Sequence, residues 1–151
     1  MNITFSNLES ISKALNRESD DYDPLSKEEI DLMRRRARSL DISWERAKIL
    51  RDWRRYVDRI AHSAKKILGD DARVYVFGSA VRGELTAISD IDILIVSERV
   101  PRSFMERVKL KLKIMDSSSL PDHSPFELHL VDERETKLYF YHIKGDYMRV
   151  A

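Results

Sequence analysis

Two aspartates one residue apart, Asp90 and Asp92 in Ser89-Asp90-Ile91-Asp92-Ile93-Leu94-Ile95-Val96, are the first residues here whose type and spacing suggest chemistry. Side chains two apart in a strand point the same way, so both carboxylates share one face and Ile91, Ile93 and Ile95 share the other. Adjacent carboxylates in an apolar strand are costly to bury, because they repel one another and lose hydration. A hard divalent cation offsets that cost, and oxygen ligands suit magnesium. The alternation fits equally well a solvent-facing strand that carries two aspartates and no ion.

Upstream, Val74-Tyr75-Val76-Phe77 reads as a buried strand that runs into Gly78-Ser79. Glycine there permits a tight turn and close approach of a ligand, and the following residues can open a helix whose free N–H groups favour an anion such as a triphosphate. Alone, a Gly-Ser pair is only a turn. Ten residues separate Ser79 from Asp90, and the whole pattern resembles the G-S-x10-D-x-D signature of the DNA polymerase β-like nucleotidyltransferase superfamily. Within it the chain looks most like the small minimal nucleotidyltransferases. Arg82, Gly83 and Glu84 fit the run that follows Gly-Ser in that family, and Ser89 to Asp92 fits its aspartate strand. The similarity extends from about Ser43 to the C-terminus.

The resemblance implies a third carboxylate on a neighbouring strand, and Phe126-Glu127-Leu128-His129-Leu130-Val131 offers Glu127 where the family often has aspartate. It further implies two magnesium ions held by Asp90, Asp92 and Glu127, with Gly78 and Ser79 cradling the outer phosphates of ATP and Arg82 contacting a phosphate. Arg82 reads as readily as a surface residue after a turn. The implied reaction moves a nucleoside monophosphate, usually AMP, onto a hydroxyl with release of pyrophosphate. Three acceptor readings stay open: a protein, such as a HEPN-type helical toxin for which this chain is the antitoxin; a small molecule or RNA end; or none, in a silent nucleotide-binding or interaction module. Nucleic acid is not favoured.

Around these motifs the expected architecture is α/β, a polymerase β-like palm with a small mixed sheet over 41–151 and an N-terminal helical extension over 1–40. Met1 to Tyr22 has modest helical character and breaks at Asp20-Asp21-Tyr22-Asp23-Pro24, an acidic turn without the glycine of a calcium loop. Ser26-Lys27-Glu28-Glu29 is a capping box for a helix to about Leu40, with Ile30, Met33, Ala37 and Leu40 as a narrow apolar stripe. Ser43 is expected to cap a long helix ending at Gly69, with Trp44, Ala47, Leu50, Trp53, Val57, Ile60, Ala64 and Ile67 facing the core. Pro101 to Met115 predicts a helix with Phe104, Val108, Leu112 and Met115 inward and Arg107, Lys109, Lys111 and Lys113 outward. Ser117 to Pro125 reads as a mobile loop beside the site, and Glu133 onward as a helix carrying Leu138, Tyr139 and Tyr141 that breaks at Gly145. Tyr147 to Ala151 is a short strand or a tail.

Composition narrows the classes. The 151 residues include no cysteine, which excludes disulfides and thiolate chemistry. No run reaches the length of a membrane span, the polar N-terminus does not read as a signal peptide, and the default expectation is a cytoplasmic protein. No Walker-type glycine loop or nucleophile elbow occurs. Residues 26–68 hold 13 basic and 7 acidic side chains, whereas 1–25 hold 2 and 5. That asymmetry fits a phosphate-rich partner or an ion-paired solvated helix face, and the N-terminal helices could equally form a homodimer. His62, His123, His129 and His142 lack paired metal spacing; His129, on the face of Glu127, could touch nucleotide or acceptor.

Overall fold

The computed structural model describes residues 25–121 and 123–151, so the segment expected to be helical over 1–22 and its acidic turn lie outside the described residues. The elements are α1 (Lys27–Arg51), α2 (Trp53–Leu68), β1 (Arg73–Phe77), α3 (Ser79–Arg82), β2 (Ile91–Val96), α4 (Phe104–Ser117), β3 (Phe126–Val131), α5 (Glu133–Ile143) and β4 (Tyr147–Arg149). Two compact units divide between Glu45 and Arg46, and the sheet belongs to the second. No described helix is long and apolar enough to cross a membrane.

The four strands lie in the order β3-β2-β1-β4. β1 pairs antiparallel with β2 and β4, while β2 pairs parallel with β3. The sheet is therefore mixed, as expected, and the C-terminal segment is a strand rather than a tail. Strand parity then separates two cores. Val74, Val76, Ile91, Ile93, Ile95, Phe126, Leu128 and Leu130 pack with Trp53, Val57, Ile60 and Ala64 of α2 and Ile114 of α4. On the other face Tyr75, Leu94, Val96 and Val131 meet Tyr139, Phe140 and Ile143 of α5. Each fully buried isoleucine or valine contributes about 1.5–3 kcal/mol through its apolar area. The second core covers only part of its face, and Asp92 interrupts an otherwise buried β2 at its edge.

The Ser26 capping box forms, with the Ser26 N–H donating to Glu29 (2.8 Å) and the Glu29 N–H donating to Ser26 Oγ (3.2 Å). The helix does not end near Leu40. It runs through Ser43, whose hydroxyl donates back to the Ser39 carbonyl (2.9 Å) instead of capping a new helix. The break falls at Asp52. The expected core stripe accordingly holds for Trp53, Val57, Ile60 and Ala64, whereas Trp44 and Ala47 are exposed. Met33 and Leu40 are exposed too, and Ala37 is buried.

In α4 the inward face is rotated from the expected one. Phe104 and Leu112 are exposed, and Ile114 is the buried anchor. Arg107, expected outside, turns in: it donates to the carbonyls of Pro101 (2.6 Å) and Leu130 (3.2 Å) and to Glu135 (3.0 Å). Three acceptors from three segments outweigh the apolar preference of a stripe that alternating lysines make ambiguous. Likewise Leu138 and Tyr141 of α5 are exposed, and Phe140 packs edge-on against Tyr75 with ring centroids 5.0 Å apart. The serine segment after α4 is anchored at its start. Ser118 is buried with its hydroxyl on the Ile114 carbonyl (2.7 Å), and the Ser119 carbonyl accepts from Arg59 of α2 (3.1 Å).

Candidate functional site

Ladder register brings one row of residues side by side. Phe77 on β1 is opposite Asp92 on β2, and Asp92 is in register with Glu127 on β3. The parallel pairing puts Asp92 and Glu127 on the same face, and parity puts His129 two residues further along it. Ligand atoms of Asp92, Glu127 and His129 all lie within 4.8 Å of one another. His129 Nε2 is 3.4 Å from Asp92 Oδ1 and 3.9 Å from Glu127 Oε1. Its Nδ1 is 3.1 Å from the Tyr139 hydroxyl, and the ring sits between Phe77 and Tyr139 at centroid distances of 5.2 and 5.9 Å.

Burial at the edge of the second core pushes the Asp92 carboxyl above its ordinary range. The hydrogen bond and charge of His129 pull it back, while the Glu127 and Asp90 charges push it further up. A cation relieves this crowding. Two carboxylates converging with an imidazole nitrogen thus form a donor set that fits a divalent metal.

Gly78 follows Phe77 and closes the row. Its φ of +76° is a conformation that side chains rarely adopt, and a Cβ there would meet Asp92 Oδ2 at 3.1 Å. Its N–H donates to the Asp146 carbonyl (3.1 Å), tying the turn to the chain just before β4. The expected helix start after Gly78 is a single turn, α3, with Ser79 half-buried at its first position. Arg82 is exposed and pairs with Glu84 (2.8 Å) and Asp146 (3.4 Å).

Asp90 lies one residue before β2, exposed, and its carboxylate receives Arg46 Nη2 at 2.8 Å. The same guanidinium donates to the carbonyls of Ala87 (3.2 Å), Ile88 (3.3 Å) and Ser89 (2.6 Å). Arg46 therefore holds the whole approach to β2. Of the six residues singled out from sequence, Gly78, Asp92 and Glu127 lie together; Asp90 sits beside them under Arg46, and Ser79 and Arg82 follow on α3. Arg46 and Tyr139 gave no signal in sequence, since neither stands in a motif. His129 did, through its alternation with Glu127.

Residues 57–144 match the model of the nucleotidyltransferase domain family, more than half of the chain. The chain belongs to that family, and is a polymerase β-like nucleotidyltransferase. Among solved structures it is similar to a presumed nucleotidyltransferase from Sulfolobus solfataricus, 19% identical over 70% of this chain and 85% of that one, with a TM-score of 0.49. A second presumed nucleotidyltransferase is 33% identical over 61% of this chain and 94% of its own, with a TM-score of 0.43. No curated protein matches the chain.

Proposed function

We propose that the chain transfers AMP from ATP to a hydroxyl acceptor, releasing pyrophosphate. The observation that carries this reading is the in-register pair Asp92 and Glu127 beside the positive-φ turn at Gly78. Asp90, Asp92 and Glu127 are the residues that would hold two magnesium ions, which when bound neutralise phosphate charge and favour in-line displacement at the α-phosphate. The acceptor oxygen bonds to the α-phosphorus as the bond to the β-phosphate oxygen breaks. Glu127, the most exposed of the trio, would take the acceptor's proton. Gly78 offers a backbone without a Cβ barrier against which, together with Ser79, the outer phosphates would rest, and Arg82 is a further phosphate contact once released from Glu84 and Asp146.

For the acceptor we favour a protein hydroxyl, on a HEPN-type helical partner as the family resemblance implies. Support comes from Phe104, Met105 and Leu112 on α4 and Leu138 and Tyr141 on α5, apolar side chains left exposed. The test is calorimetric titration of ATP with magnesium into the protein and into an Asp90→Ala/Asp92→Ala variant. Mass spectrometry then searches candidate partners for added AMP. Magnesium-dependent binding that the variant loses, with an AMP-modified partner, supports the reading. Binding without any transfer points to a silent nucleotide-binding module, and no binding refutes both.

A further inference from the structure

We propose that His129, through Nε2, is a ligand of the cation held between Asp92 and Glu127, and that it biases this position toward manganese and related first-row metals over magnesium. The proposal rests on the metal-assisted reading above and concerns one of its two cation positions. Three atoms that can each offer a lone pair converge here: Asp92 Oδ1, Glu127 Oε1 and His129 Nε2. A proton shared between Nε2 and a carboxylate would draw them to about 2.7–2.9 Å, the length of a charge-assisted hydrogen bond. The Nε2 to Asp92 Oδ1 separation of 3.4 Å is at the long limit of a hydrogen bond, and Glu127 Oε1 at 3.9 Å lies beyond it. Metal bonds of about 2.1 Å instead set neighbouring ligand atoms about 3 Å apart and opposed ones about 4 Å apart, a range that spans the observed values.

The second observation lies outside the trio. His129 Nδ1 is 3.1 Å from the Tyr139 hydroxyl, and the ring is held between Phe77 and Tyr139. A metal-bound histidine characteristically donates its other ring N–H to such a partner, which fixes the tautomer and aims the free nitrogen. In the tautomer whose Nδ1–H donates to the phenol oxygen, the Nε2 lone pair faces both carboxylates. Imidazole nitrogen adds affinity for transition-metal ions and little for magnesium, whose preference is for oxygen.

The experiment uses Mn²⁺ as the probe, with pulsed electron paramagnetic resonance to read ¹⁴N coupling and calorimetry to compare Mn²⁺ with Mg²⁺. Three variants accompany the unmodified protein. His129→Phe keeps a ring between Phe77 and Tyr139 but removes both nitrogens; Tyr139→Phe removes only the orienting hydroxyl; Asp92→Asn tests the metal reading itself. The expected result is ¹⁴N coupling in the unmodified protein that His129→Phe abolishes. Mn²⁺ affinity should fall about tenfold or more in both ring variants while Mg²⁺ affinity changes little. Mn²⁺ bound without ¹⁴N coupling, or an unchanged Mn²⁺/Mg²⁺ ratio in His129→Phe, overturns the role of His129 and leaves the metal reading standing. If Mn²⁺ binds neither the unmodified protein nor Asp92→Asn, both fall. Should His129→Phe not fold, ¹⁴N coupling in the unmodified protein and the Tyr139→Phe affinity decide the matter.

Discussion

Arg46→Met keeps most of the aliphatic stem of Arg46 and strips away a guanidinium that serves four acceptors between Ala87 and Asp90. The three carbonyls belong to an exposed approach loop and can rehydrate, so each lost bond costs about 0.5–1 kcal/mol rather than the full penalty of a buried unsatisfied group. The ion pair with Asp90 adds about 0.2–1 kcal/mol, because more than half of the Asp90 side chain is exposed and solvent screens it. All four bonds share one group and do not add fully, which brings the loss to about 2 kcal/mol. For a chain of this length that lowers the melting temperature by roughly 4–8 °C. Nucleotide transfer should suffer more than stability. A carboxylate misplaced by about 1 Å costs on the order of 10²-fold in rate, and Asp90 loses its only charged partner among the described residues. Arg46→Lys brings a point charge in place of a planar fork and should recover less than half of either loss. Thermal melting followed by AMP-transfer kinetics on the same samples measures both. A variant that melts within about 1 °C of the unmodified protein and transfers normally refutes Arg46 as the anchor of this loop.

Gly78→Ala should lose about 1–3 kcal/mol through its positive φ and displace Asp92 Oδ2, so chemical denaturation and metal titration should both weaken. Asp92→Asn should separate function from stability. Burial disfavours the ionised Asp92, so at neutral pH the charge costs stability, and its neutral isostere should abolish transfer while the melting temperature holds or rises. Ile93→Ala, at a fully buried β2 position, should cost about 2–5 kcal/mol by urea denaturation without a selective effect on metal binding. Acid should loosen α5. Arg107 lowers the Glu135 pKa and Arg134 lowers that of Asp132, so their contribution is present above the ordinary carboxylate range and is lost as pH falls below it. Glu135→Gln should flatten that acid limb in a pH series of melts, and an unchanged limb would show that the cap does not titrate with folding.

The chemistry-bearing motifs were legible because their information is local. Alternation in Asp90 to Val96 is enough to assign Ile91, Ile93 and Ile95 to one face, and the observed core contains all three. The Gly78-Ser79 turn, the capping box at Ser26 and the α/β order of elements follow in the same way from a few neighbouring residues. Helix faces were less legible. In α4, lysines and apolar residues alternate, so more than one stripe was consistent with the sequence, and only the acceptors waiting at Pro101, Leu130 and Glu135 chose the face that carries Arg107 inward.

The sequence by itself determined which residues carry oxygen donors, which turn needs a glycine, and which side chains share a strand face, since backbone geometry dictates those relations over a few residues. Tertiary structure alone decided how strands far apart in sequence line up. The parallel register of β2 on β3 brings Glu127 and His129 to Asp92, and a slip of one residue would turn both to the opposite face. It also decided that Asp90 meets Arg46, 44 positions away, an encounter that depends on where a helix packs and that no local pattern encodes.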